Sequence, residues 1–335
     1  MILMLLTLLL QACGNRDQVV SLSAEDVKRF DLKAESKPFL LETEIENRTV
    51  LQSFAFDNVN EHLYVVQVME GGLQLEGESF EENWNRRQFN GDLTLTQLDY
   101  DGNQLGYMYL KGFGHGVSIG IEMEDEVPYI WAETDSVNDG ERGWGRQLIR
   151  FPFENETIID SKRTELEKYA LITTSDHTTV NIDQAHQLLT LRYRFNGAYR
   201  FAVYNLEDIH AGTYEPMYDV AQPDDIQTFQ GFASYGKYLY LLEGNSFEHV
   251  RADDEVGNTY ITVLDLTTGE VVDKQFMNTG LDLLFREPEG MAISIPNPDR
   301  PDLAILNFGF ASTVSETDSS KLINIFSIDQ MVEEE

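Results

Sequence analysis

The chain runs to 335 residues with 42% hydrophobic content, enough for two average domains or for one large all-β fold with a substantial core. Acidic residues outnumber basic ones 58 to 24, and the formal charge of −34 argues against non-specific nucleic-acid binding, in which each phosphate contact needs a Lys or Arg. A single cysteine, Cys13, excludes an intrachain disulfide.

The N-terminal run "MILMLLTLLLQAC" is too short to span a bilayer as a mature helix. Leu10-Gln11-Ala12-Cys13 has the form of a bacterial lipobox, a small residue followed by the cysteine that accepts a lipid, although Met1-Ile2-Leu3-Met4 lacks the usual basic residues. The expectation is a lipoprotein-type signal over residues 1–13 with lipid on Cys13; a simple secretion signal is the alternative. Either places the mature chain outside the cytoplasm. Residues 14–37 are then expected as a linker and residues 38–330 as the folded unit.

Beyond residue 35 helical periodicity nearly vanishes. Short apolar or alternating runs recur between Gly, Asn and Asp turns, as strands do. "LTLTQLDYDGNQLGYMYL" and "YITVLDLTTGEVVDKQF" read as hairpins. Asp99 and Asp101 read as turn residues rather than calcium ligands, because the other positions of a calcium loop are missing.

The runs form a repeat. A polar residue, a small residue and then apolar ones enter a strand at Gln52 ("LQSFAFD"), His115 ("GHGVSI"), His177 ("DHTTVNID"), Gln230 ("FQGFAS") and Glu289 ("PEGMAI"), with separations of 63, 62, 53 and 59. Two further strands follow each, and a fourth follows all but the last. Such units fit the blades of a single all-β propeller with five four-stranded blades. "PFLLETEI" (38–45) is expected to supply the missing strand by pairing with "LINIFSI", closing two exposed edges at once. The register of the third unit around Asp176-His177 is open by one residue. Gln52, His115, His177, Gln230 and Glu289 should ring one mouth of the central channel, with Ser53, Gly116, Gly231 and Gly290 small because the axis is crowded.

"LQSFAFDNVNEHLYVVQV", "GDLTLTQLDYDGNQLGYMYLKGFGHGVSIGIE", "FQGFAS" and "EPEGMAI" together resemble the β-propeller family of TagC-like proteins, which also takes in receptor-binding domains of phages of Gram-positive bacteria and helveticin J type bacteriocins. The likeness runs from about Pro38 to Ile328. It implies a propeller at the Gram-positive envelope with wall teichoic acid or a related glycopolymer as ligand, and it implies no reaction.

Loops between the second and third strands of each blade should open on the same face as the ring. They carry Trp84, Arg86 and Arg87; Arg142, Trp144 and Arg146; Tyr193, Arg194 and Tyr199; and Phe247, His249 and Arg251. Aromatic faces stack on sugars and Arg forks hold phosphate or carboxylate oxygens, so these loops, with the ring, form the expected ligand-binding surface. The alternative is solvated loops whose arginines pair with Glu81, Glu82, Asp139 and Glu141. An enzyme would instead use Glu289, His115 and His177, as a base polarised by a histidine or as a two-His-one-carboxylate metal set. A third class is a lipid-tethered scaffold binding another protein. The binder is preferred, without a resident cofactor or metal. Its partner would be an envelope glycopolymer, the membrane is met only through the lipid, and calcium is a candidate bridge between the acidic protein and a polyanion.

Overall fold

The computed structural model describes residues 23–247 and 257–333. Cys13 and the signal-like segment, as well as His249 and Arg251, lie outside the described residues. Among the described residues no helix is long and apolar enough to cross a membrane.

The strands gather into five sheets arranged as the blades of a propeller, each meandering outward from the axis. The inner strands are Leu51–Asp57, Gly120–Glu124, Asp176–Asp183, Phe229–Tyr235 and Glu287–Ser294. The second strands, such as His62–Val68 and Tyr238–Glu243, read as continuous apolar runs because both faces are buried between neighbouring blades. Outer strands such as Glu270–Phe276 are largely exposed. Five hydrophobic clusters hold the ring, one at each interface: Val66 and Leu95 with Ile121 and Ile130, Trp131 with Val180 and Leu189, Val203 with Leu239, Val263 with Phe308, and Phe54 with Ala311 and Ile323.

The last blade is completed by Lys37–Thr43, antiparallel to Lys321–Ile328, with Lys37 opposite Ser327 and Thr43 opposite Ile323. The "DYDGN" segment is the turn expected of it, Asp99 Oδ1 accepting the backbone N–H of Asp101 and Asn103. Two features go beyond the repeat. Ile158–Asp160, from the loop before the outermost strand of the second blade, adds a parallel fifth strand to the first blade beside Gln104–Lys111. The described part of the segment expected as a linker is packed. Val27, Phe30 and Leu32 are buried against the fourth and fifth blades, Phe30 donates its N–H to Tyr240 Oη at 3.0 Å, and it bridges to Met331. The apolar spacing of these three residues is what a solvated linker would lack.

At the axis the inner strands nearly touch. A Cβ on Gly290, which sits at φ +76°, would lie 2.8 Å from Ser53 Cα, and one on Gly231 would lie 3.0 Å from Gly290 Cα. Ser53 Oγ donates to Gly116 O at 2.6 Å and Thr179 Oγ1 to Ser118 O at 2.9 Å, tying neighbouring blades. Gly290→Ala therefore meets both backbone strain and a backbone clash. It is expected to cost about 2 kcal/mol or more, read as a lower denaturant midpoint with an unchanged slope.

Candidate functional site

A cavity of about 710 Å³ opens at the channel mouth. Its lining includes Gln52, His115, Gln230 and Glu289 from the starts of four blades, with Trp84, Arg142 and Trp144 from the second-to-third-strand connections, Tyr199 from the third strand of the third blade, and Arg192 and Phe229 at its wall.

His177, the fifth expected ring member, is absent from that lining. Asp57 and Asp183 occupy matching places, opposite His62 and Leu188, and five residues back from each stand Gln52 and Thr178. The third unit is thus shifted by one. His177 falls in the irregular stretch between Asp176 and Thr179, at φ +50°, with its Nδ1 3.1 Å from Asp176 Oδ1.

Trp144 is carried on a two-stranded hairpin, Val137–Asn138 with Gly143–Trp144. Its indole sits between the two histidines, 4.8 Å from the His115 ring and stacked at 4.5 Å and 20° on His177, and its Nε1 donates to Asp139 at 2.9 Å. With an indole between them the two rings cannot converge with Glu289 on one ion. Among the described residues no group of three or more His, Cys, Asp or Glu is placed to hold a metal.

Arg142 Nη1 lies 3.1 Å from His115 Nε2. A guanidinium only donates, so Nε2 carries the lone pair and Nδ1 the proton of a neutral imidazole. Burial, reinforced by Arg142, holds His115 down at about 3. Glu289 is driven the other way: burial first, then Glu287, pushes its carboxyl well above the ordinary range, against the pull of Arg142. At neutral pH the cavity therefore presents a neutral histidine beside a carboxyl whose ionised form burial disfavours. Gln52 and Gln230 donate to carbonyls of their own blades, Leu51 at 3.2 Å and Gly244 at 3.0 Å.

The loop arginines divide. Arg142 lines the cavity, whereas Arg86 and Arg146 line a separate cleft with Glu82, Asp135 and Asp160. Arg87 is fully buried, its Nη1 2.6 Å from Glu78 Oε1 and 3.1 Å from Asp92 Oδ2, so its expected place among the ligand contacts is corrected: it braces the loop. The two acids, nine residues before it and five after, supply the pairing that a buried charge needs. Two residues unmarked in the sequence reading matter more. Glu133 accepts the backbone N–H of His115 (2.9 Å), Gly116 (2.6 Å) and Gly145 (2.6 Å), fastening the His115 loop to the Trp144 hairpin; burial nevertheless lifts its carboxyl to about 7. Arg192 is buried with its guanidinium carbon 3.9 Å from the Tyr199 ring and 3.8 Å from that of Phe229. The signal for both was a charged residue late in an apolar run, "YIWAE" and "LLTLRY".

Residues 50–312 match the family described as the phage 5-bladed beta propeller receptor binding platform domain. The chain belongs to this family. A relative, the "Putative major teichoic acid biosynthesis protein C" of Bacillus subtilis (strain 168), is 27% identical over 278 residues, covering 81% of this chain and 58% of its own. The tail fiber of Staphylococcus aureus phage P68 superimposes with a TM-score of 0.66 at 21% identity, over 90% of this chain and 54% of the fiber. This propeller thus spans little more than half the length of either protein. Membership accounts for the five blades.

The His115 shift has a sign. Its pKa is about 6.5 in an unfolded chain and about 3 when folded, so the unfolded state binds more protons between these values. The stability from the neutral ring is present above pH 6.5 and is lost as pH falls toward 3. His115→Gln keeps an acceptor for Arg142 without titrating, and its melting temperature should fall less steeply than the parent's between pH 6.5 and 4.

Proposed function

We propose that this chain is an extracytoplasmic receptor-binding propeller that holds a cell-envelope glycopolymer of the teichoic-acid type at the channel mouth. The observation that carries the reading is the lining of the cavity, where the rings of Trp84, Trp144, Tyr199 and Phe229 stand with the guanidinium groups of Arg142 and Arg192. Aromatic faces stack on sugar or polyol units, and guanidinium forks match oxyanions in a way that a lysine point charge does not. A pocket of this size, concave and mixed in polarity, suits a few units of a polymer. The name of one relative, a teichoic acid biosynthesis protein, supports this ligand class, and the family's description as a receptor binding platform supports a binding role. Tethering by a lipid on Cys13 is part of the proposal and rests on the Leu10–Cys13 lipobox pattern. The net charge of −34 repels a polyanion at a distance, so divalent cations such as calcium are expected to assist encounter.

One observation favours a second reading, an enzyme acting on the same polymer. Glu289 is a buried carboxyl with a strongly raised pKa inside the cavity, a combination common at catalytic sites.

The test is a titration of the purified protein against wall glycopolymers, with and without calcium, while released products are monitored. Saturable binding of intact polymer is expected. Trp144→Ala and Arg142→Ala should each weaken it about tenfold, equivalent to about 1.4 kcal/mol, whereas Arg146→Ala, facing the other cleft, should leave it unchanged. Unimpaired binding by the Trp144→Ala/Arg142→Ala double variant would remove this face from the function. Glu289→Gln keeps a polar side chain of the same size and should bind as the parent does. Polymer cleavage that stops in Glu289→Gln would instead establish the enzyme.

A further inference from the structure

Three arginines are fully or nearly fully buried among the described residues, and they are partnered differently. Arg87 faces two carboxylates. Arg286 has no acid beside it but is satisfied by neutral acceptors: its Nε donates to Thr279 O at 2.9 Å, Nη1 to Thr259 Oγ1 at 3.0 Å, and Nη2 to Met277 O at 2.8 Å and Thr279 O at 2.7 Å. Arg192, 3% exposed, donates through Nε to Gln222 Oε1 at 2.9 Å. Among the described residues no carboxylate lies within ion-pair distance of it, and the groups that favour its charge are the Tyr199 side chain, by electrostatics and hydrogen bonding, and Glu133. Tyr199 and Phe229 cover the two faces of the guanidinium, which leaves its edge for the cavity that it lines.

We propose that Arg192 is an oxyanion-binding subsite of the channel-mouth cavity, which receives edge-on a monoanionic group with two equivalent oxygens from the bound polymer. This rests on the reading of the cavity as a polymer site and specifies what is recognised there. A desolvated cation without a direct ion-pair partner is costly, and aromatic faces offset only part of that cost. The missing element is an acceptor in the guanidinium plane, and a paired oxyanion meets two Nη groups with two parallel hydrogen bonds. The stacking rings and Gln222 fix the fork before the ligand arrives, which reduces the ordering cost of binding. The charge persists at neutral pH, since burial lowers the guanidinium only to about 10. Around it the chain's overall acidity is locally reversed: Arg48, Arg142, Arg192 and Lys321 line the cavity against Glu287 and Glu289. A phosphodiester and a uronate carboxylate present the same oxygen pair, so the experiment carries an arm for each.

Affinities of the full chain and of Arg192→Met would be measured for poly(glycerol phosphate), polyglucuronate and neutral dextran. In parallel the Arg192 Nε–H resonance would be followed by NMR in the unmutated protein titrated with dimethyl phosphate or acetate. Methionine keeps an apolar stem between the rings and removes the buried charge, so it should fold with an unchanged or raised melting temperature. The expected result is at least a tenfold loss for one anionic polymer, no change for dextran, and saturable movement of the Arg192 resonance by the matching small anion. Anionic polymer bound equally by the parent and by Arg192→Met overturns the subsite and leaves the polymer site standing. If the parent binds no polymer yet dimethyl phosphate or acetate saturably shifts Arg192, the subsite holds and the polymer reading fails. No polymer binding and no resonance shift overturn both. The NMR arm uses the parent chain and decides the matter even if the variant fails to fold.

Discussion

The antiparallel pairing of Lys37–Thr43 with Lys321–Ile328 is the constraint on which the ring depends. Without it the fifth sheet would end in an open strand edge, and the interface between the last and first blades would lose the side chains that the N-terminal strand brings, among them Leu40. The two strands are separated by almost the whole chain, so the loop entropy of joining them is recovered only when all five interfaces have formed. The cavity inherits this dependence. Gln52, His115, Arg192, Gln230 and Glu289 come from five different blades, and no fragment short of the closed ring assembles them.

Buried polar residues near the mouth end of the second strands fasten the site to this frame. Gln67 bonds the backbone of Asn47 and Thr49, Glu133 gathers three N–H groups of two loops, and Glu243 accepts from Gln227 N and Thr262 Oγ1. Each satisfies backbone donors or acceptors that the loops beside the strands leave free, so each belongs to the architecture. Arg192 occupies the corresponding region of the third blade but ties down no backbone in this way, its Nε donating to the side chain of Gln222. That contrast separates a group that holds the site together from one that is available to a ligand.

Much of this was legible in the sequence because a propeller writes its period along the chain. The spacing of Gln52, His115, Gln230 and Glu289 foretold four cavity residues, and the length and position of the second-to-third-strand loops foretold Trp84, Arg142 and Trp144 at the same mouth. Small residues at 231 and 290 announced the close approach at the axis. The reading went astray where a local irregularity or a distant partner decides the outcome. One extra residue before Thr179 turns His177 behind Trp144, and a pattern of polar-then-small cannot show which of two adjacent positions a bulge displaces. The carboxylates that bury Arg87 were visible nearby, but pairing is not encoded by proximity in sequence alone. Arg192 was the least legible, since Phe229, which completes its sandwich, belongs to the next blade and is related to it by no period.

The electrostatics of the chain then divide by distance. At physiological ionic strength fields between exposed charges fade over about 8 Å, so the acidic surface acts mainly on the approach of a charged polymer. Inside the cavity, water is partly excluded and the same screening does not reach the guanidinium of Arg192. An acidic exterior with a buried cation that has no ion-pair partner therefore penalises weak, diffuse contacts with polyanions and favours only a ligand that can place one oxyanion at the edge of the guanidinium held by the Tyr199 and Phe229 rings while its neutral portions lie against Trp84 and Trp144. Selectivity in such a site arises from geometry at one charge, and the net charge of −34 sharpens it by removing the non-specific binding that a basic surface would invite.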